Sequence, residues 1–572
     1  MHFRQAILQV GDKTYSLSPG RPNSFDEIYI DFQNQPENGG ECWSVFLHPK
    51  QDITIQRLEI QFDVQMPTHA RFFANGFQSW SESRMFSLDE AIPRLRFFVK
   101  KHLGLYGDEH IAGIPRGRGY LHSWTYTFLK KESDKTLFLG SLNETTGFTL
   151  FLYDQPNSIL TVRKDMDGLK LAHSFPALDF WVGEGSESDV FDRYFQVLGT
   201  PQPAVPPALG WTSWYHHFTR ISEKIILQNL ESVSNSGLPF SFFQIDDGWQ
   251  TAVGDWLSMK KTFPNGMGLV AQKIREKGLS PGLWLAPFVA AKDSDLAKKH
   301  PEWLLRDAKG QLLKVGWNPM WDGWYHALDF YNNEVRNYLG GVFHAVLDRW
   351  GFDLLKLDFL FAVCLAPPPG KTRGQVMHEA MEFLRKLAGS KKILACGVPL
   401  GSAFGLADYC RIGGDIHMNW EHRLLVFLRF RERVSTLASL RSTLGRWQLD
   451  DRAFRNDPDV FILRNENQRL SLTQQQTVLT INALLGSLLF TSDDLGKYSP
   501  EQKAELEAAL ELRGSRISGV LELEKDVFEI DFENEGVSYS AFCNLNSGAK
   551  MAQTKNGRIE IQPFETIILS RV

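Results

Sequence analysis

The 572-residue sequence predicts a multidomain protein: an N-terminal antiparallel β-sandwich, a central (β/α)8 TIM barrel and a small C-terminal antiparallel β-domain. Three observations carry this expectation. Residues 1 to about 190 hold alternating stretches such as DITIQRLEIQF, SWTYTFLK and SILTVRK between Gly, Asn and Asp turns, the period of half-buried strands. Beyond the Pro-dense TPQPAVPPALG, residues 200–210, short apolar runs alternate with mostly helical patterns. From about residue 518 the strand alternation returns in VLELEKDVFEIDF, GVSYSAF and RIEIQPFETIIL. The expected divisions are 1–195, 205–515 and 518–572.

In chain order the barrel strands are expected at ALGWTSW, FSFFQIDDGW, SPGLWLAPF, DLLKLDFLF, KILACGV, DYCRIGGD, DVFILR and SLLFTSDD, with helices in ISEKIILQNLESVSNSG and GLVAQKIREKG. Nearly all the runs end in polar residues. Barrel active sites lie at the C-terminal ends of the strands, so these ends are where chemistry is expected.

Bulk properties exclude some classes. A net charge of -5 and pI near 6.3 give no electrostatic reason to bind nucleic acid or an anionic membrane. No stretch has the length of a membrane span, and MHFRQAILQVGDK has too short an apolar run for a secretion signal. Cys42, Cys364, Cys396, Cys410 and Cys543 are scattered without CxxC spacing, which argues against a disulfide framework or zinc site and for a cytoplasmic protein. PPPGKTRG lacks the first glycine of a phosphate-binding loop, and His216 and His217, adjacent on a strand, would face opposite ways. Neither metal nor cofactor is expected.

Within LLKLDFLF, Lys356 and Asp358 are two apart on a run that reads as a buried strand, so they share a face. Such charges must neutralise each other, sit at a wet strand end or do chemistry. QIDDGWQ puts Asp246 and Asp247 at the mouth of the second strand, where paired carboxylates suit the paired hydroxyls of a sugar; an Asp-Gly turn is the plainer explanation. In CRIGGDI, Gly413 and Gly414 let the backbone bend before Asp415, beside the cation Arg411. Glycosidases need a nucleophilic carboxylate and a carboxylic acid that protonates the leaving oxygen, and Asp358 and Asp415 fit those roles. Lys356 would keep Asp358 ionised and depressed, while Asp415 would be raised. Trp211, Trp214, Trp284 and Cys396 also fall at strand ends, where rim packing competes with a binding role.

The pieces NGFQSW, GWTSWYHHF, QIDDGWQ, GLWLAPF, LLKLDF, ACGVPLG, YCRIGGDI and RNDPDVFILR resemble, in order, those of glycoside hydrolase family 36, the α-galactosidases, in the clan shared with family 27. The resemblance implies a retaining double displacement with Asp358 as nucleophile and Asp415 as general acid/base. It implies that Asp246 and Asp247 hold the 4- and 6-hydroxyls of galactose and that Lys356 reaches the 3- and 4-hydroxyls. Arg411 and Cys396 match positions lining the 2-hydroxyl side; Trp80, Trp214 and Trp284 match aromatics around the non-reducing sugar. It also implies a small-molecule α-galactoside as partner and a monomer or small homo-oligomer. For Trp80 to contribute, the N-terminal domain must reach the barrel mouth. The apparent Cys396-Gly397 favours a plain 2-hydroxyl over the acetamido group of an α-N-acetylgalactosaminidase, and a catalytically inactive sugar-binding barrel is the reading from another class. Trp317, Trp321 and Trp324, between the third and fourth strands, are expected to pack or to shape a leaving-group site.

Overall fold

The computed structural model describes residues 1–132, 135–554 and 557–571, so Val572, the last residue of the expected C-terminal division, lies outside the described residues. Two antiparallel sheets, one seven-stranded and one eight-stranded, occupy the chain up to Phe175–Gly185. They pack face to face around one core. Leu8, Ile60 and Phe62 of the first sheet meet Ile30, Val45 and Phe180 of the second. The helix Glu187–Leu198 then leads out, capped by Ser186, whose side chain accepts from the Asp189 N–H, and ended by Gly199 in the left-handed region.

The middle of the chain forms a ring of parallel strands. Ala208–Thr212, Phe240–Ile245, Ser280–Leu285, Leu354–Leu357, Lys392–Ala395, Tyr409–Arg411 and Arg455–Asp457 pair in that order, and Leu488–Thr491 pairs back onto Ala208–Thr212. The join lies at the seventh position. That strand is expected in DVFILR, but it is split: Arg455–Asp457 pairs with the sixth strand and Val460–Phe461 with the eighth. Pro458, which has no N–H to donate, and Asp459, at φ +84°, separate the halves. Leu354–Leu357 is buried at every residue, as a strand covered on both faces must be.

The helices Glu223–Ser234 and Gly266–Glu276 follow the first two ring strands where the sequence predicts them. Between the third and fourth strands, Val289–Ala291, Lys314–Asn318 and Gly323–Ala327 form a three-stranded antiparallel sheet. Past the ring, four strands from Arg516–Glu524 to Thr566–Ser570 make an antiparallel sheet, and Lys550–Thr554 pairs with Gly557–Ile561. Among the described residues no helix is long and apolar enough to cross a membrane.

The first region docks on the ring through NGFQSW. Ser79 donates its N–H to Val398 O at 2.8 Å, and its hydroxyl accepts from Gly397 N at 2.9 Å. The fully buried Arg446 binds Asn75 Oδ1, Ser79 O and Ile412 O together. A guanidinium shared this way fixes the loop against the ends of the fifth and sixth strands.

Candidate active site

The second strand delivers Asp246 and Asp247 at its C-terminal end, both buried. Asp246 Oδ2 accepts from Lys356 Nζ and from Gln244 Nε2, each at 2.8 Å, and its Oδ1 accepts from the Asp247 N–H at 2.9 Å. The lysine singled out for Asp358 is therefore ion-paired with Asp246 across the ring. Burial pulls Lys356 down, but Asp246 leads the opposing charges and the ammonium ends above its ordinary value. Asp247 accepts from Trp321 Nε1 at 2.8 Å and Gln250 Nε2 at 2.6 Å. Burial outweighs those bonds and pushes Asp247 up to about 6.

Asp358 follows the fourth strand directly. Its Oδ2 accepts from Trp284 Nε1 at 3.0 Å and its Oδ1 from the Phe359 N–H at 2.9 Å. Phe359 is in the left-handed region at φ +54°, wedged edge-on against Trp80 with ring centroids 4.9 Å apart. The expectation that Lys356 depresses Asp358 is overturned. Burial raises it, and Lys356 and the Trp284 bond recover only part of that rise.

Asp415 lies beyond the sixth strand with about a third of its side chain exposed. Arg411, almost fully buried, reaches three carboxylates: Nη1 meets Asp415 Oδ1 at 2.8 Å, Nε meets Asp457 Oδ2 at 2.9 Å and Nη2 meets Asp459 Oδ1 at 2.8 Å. The Tyr215 hydroxyl and the Ile416 N–H both donate to Asp459 Oδ2, the latter at 2.7 Å. Burial lifts Asp459 above the ordinary carboxylate range, with Arg411 opposing and Asp415 and Asp457 adding to the rise. The charge of Asp415 also bears on Asp358, so the two candidate catalytic carboxyls face one electrostatic space. Gly414 is required by close approach rather than by its dihedral, since a Cβ there would meet Arg433 O at 2.9 Å.

The aromatic residues divide. Trp80 crosses from the first region, and its Nε1 donates to Cys396 Sγ at 3.1 Å. A Cβ on Gly397 would come within 2.9 Å of the Trp80 ring, so ACGVPLG needs its glycine there. Trp214 is half-buried on the helix Trp214–His217, packed edge-on against Phe218, with no bond to either carboxyl group. His216 and His217 lie on the same helix, with rings stacked 4.5 Å apart, rather than on opposite faces of a strand. Trp321 does more than pack, through its bond to Asp247, whereas Trp324 stacks on His102 and Trp317 is about half exposed. Among the described residues no group of three or more His, Cys, Asp and Glu side chains is arranged to hold a metal ion.

Sequence reasoning missed Asp457, Asp459 and Tyr215 as members of the site. A signal existed, since NDPD places two acids beside a proline at the end of a barrel strand.

Two differently held carboxyl groups, beside side chains able to bond hydroxyls, are what a glycoside hydrolase needs. Residues 208–384 match the melibiase family model. An α-galactosidase of Thermus thermophilus, solved with p-nitrophenyl α-D-galactopyranoside, is 28% identical with a TM-score of 0.71, covering 92% of this chain and 98% of that one. α-Galactosidase Mel36A of Lactobacillus acidophilus is 28% identical over 30% of this chain and 23% of its own. A type blood α-D-galactosamine galactosaminidase of Flavonifractor plautii is 26% identical over 34% of this chain and 19% of its own. The chain thus spans about a quarter or less of the length of these two curated relatives.

Proposed function

We propose that the chain is a retaining α-galactosidase that releases terminal non-reducing α-galactosyl residues from short oligosaccharides. The observation that carries this reading is the contrast between the two carboxyls: Asp358 is buried and fixed by Trp284 Nε1 and the Phe359 N–H, while Asp415 is partly open and held by Arg411. A nucleophile benefits from fixed aim; an acid/base must meet both leaving group and water.

In the first step Asp358 attacks C1, the C1–O bond breaks, and Asp415 passes its proton to the departing oxygen, leaving a glycosyl ester on Asp358. In the second, water attacks C1 while Asp415 takes up its proton, and the ester bond to Asp358 breaks. Asp246, Asp247 and Lys356 offer acceptors and a donor to the 3-, 4- and 6-hydroxyls. Arg411 and Cys396 face the 2-hydroxyl side, and Trp80 and Trp284 close the pocket. In this reading residues 1–195 are a β-sandwich that completes the mouth, 205–515 the (β/α)8 barrel and 518–572 a β-domain. The five free thiols support a reducing, cytoplasmic setting.

The test is a set of initial rates on 4-nitrophenyl α-galactoside, β-galactoside, α-glucoside and α-N-acetylgalactosaminide, with Asp358→Ala as control. Turnover of the α-galactoside alone, lost in the variant, is the expected result. Preference for the acetamido sugar would overturn the substrate and keep the mechanism. A folded protein that turns over none of them would overturn both.

A further inference from the structure

The chain spends three aspartates on one arginine, and the proposed mechanism uses only one of them. Asp457 and Asp459 are both fully buried, the first ending one half of the seventh strand and the second lying in its break. Asp459 is held against backbone preference: its φ is +84°, a region non-glycine residues seldom occupy, and its N–H is tied to Asp457 Oδ1 at 2.9 Å. Strain of this kind persists only where surrounding contacts impose it. Here those contacts run to the site, because Asp459 grips both anchors of Asp415. One oxygen pairs with Arg411, which pairs with Asp415, and the other accepts the N–H of Ile416, the next residue along the chain.

The charge count gives the arrangement a purpose. A guanidinium 2.8 Å from a carboxylate favours its ionised form, the wrong bias for a group that must deliver a proton. Two further carboxylates on the same guanidinium offset that bias. Fully ionised, the group would hold three negative charges against one positive in a buried setting, which favours retention of a proton among the three acids. The other titratable groups facing it are Tyr215, whose hydroxyl is raised by burial and by Asp415 and Asp459, and Asp358, Cys396 and Lys356 across the pocket. The single lysine there is already committed to Asp246.

We propose that Asp459 is a positioning residue which, with Asp457 and through Arg411, sets the pH range over which Asp415 can act as the proton donor. Asp459 touches no reacting atom in this scheme. It orients Asp415 and counterbalances the cation beside it. The proposal rests on the assignment of Asp415 as general acid/base.

The variant that tests it is Asp459→Asn. Asparagine tolerates φ above zero, keeps an oxygen for Tyr215 and the Ile416 N–H, and removes the charge. Arg411 then faces one carboxylate fewer, so the alkaline limb of the kcat/KM profile should move about one pH unit lower. At pH 7.5 hydrolysis of a trisaccharide α-galactoside, whose leaving group needs protonation, should fall about tenfold or more relative to 2,4-dinitrophenyl α-galactoside, whose leaving group does not. An unmoved limb with equal losses on both substrates overturns the proposal and leaves Asp459 a purely structural residue. A second readout needs no turnover. In protein labelled with [γ-13C]Asp, the resonance missing from Asp415→Asn should titrate at lower pH in Asp459→Asn than in the parent protein, and an unchanged midpoint overturns the proposal. A parent protein without α-galactosidase activity overturns the functional reading and leaves this titration to decide the coupling.

Discussion

At the end of the second strand one buried lysine faces one of two adjacent aspartates, whereas across the ring one buried arginine faces three. Both clusters put acids where water cannot solvate them, at a cost that must be met by fixed donors. The first has two acids to one cation and a donor set for each acid: Asp246 has the cation and two further donors, and Asp247 has an indole and an amide. Such a cluster suits holding a neutral sugar. The second is overcharged with acid and opens to the mouth through Asp415, which suits a group that gains and loses a proton. Charge balance separates binding from proton transfer here more clearly than residue type does, since both clusters are built from aspartate and a single base.

The sharpest test of the comparison removes the carboxylate that lies between the clusters. Asp358→Ala should lower kcat/KM on an α-galactoside by at least about 1,000-fold, because no covalent step remains. Trapping with a slow-turnover fluoroglycoside followed by mass spectrometry should label the parent protein at Asp358 and leave the variant unlabelled.

Breaking the lysine cluster comes next. Lys356→Met leaves Asp246 buried without its cation, with an expected loss of about 3–5 kcal/mol in unfolding free energy. The same variant should lose about 100-fold in kcat/KM through misplacement of Asp246 and Asp358. Denaturant unfolding and steady-state rates measure the two effects separately. A variant as stable as the parent would mean that Asp246 does not depend on Lys356.

Trp321→Phe keeps the ring and deletes the donor to Asp247. Loss of a bond to a charged acceptor should reduce kcat/KM about tenfold. If Asp247 belongs to a binding cluster, the loss should appear mainly in KM, by rate measurements at varied substrate concentration. A fall confined to kcat would move Asp247 to the chemical step.

The smallest expected effect concerns stability against pH. Burial raises Asp247 to about 6, above the unfolded value near 3.9. The folded state therefore keeps a proton that the unfolded chain has already released. That stabilisation is complete below about pH 4 and is lost as pH rises through the folded value of Asp247. Calorimetry from pH 5 to 8 should show Tm falling less steeply in Asp247→Asn than in the parent.

Much of this site was legible before folding. QIDDGWQ, LLKLDF and CRIGGDI announced their acids because each breaks an apolar run or follows a glycine bend at a strand end. DVFILR caught only the second half of the seventh strand, Val460–Phe461, because the first half, Arg455–Asp457, is polar. Trp321 gave no sign that set it apart from Trp317 and Trp324; only the fold of the three-stranded insertion aims it at Asp247.

Sequence alone determined the alternation of strand and helix, the strand-end acids and the resemblance carried by eight short motifs, because these depend on residue type and local period. Tertiary structure decided which charges meet. Lys356 is two residues from Asp358, yet its ion pair is with Asp246, 110 positions away, because the inward faces of the second and fourth strands converge inside the ring. It also decided the sign at Asp358, where loss of solvent outweighs the charge of its lysine neighbour. Burial and distances across the curled parallel sheet are properties of the assembled fold, and no stretch of chain records them.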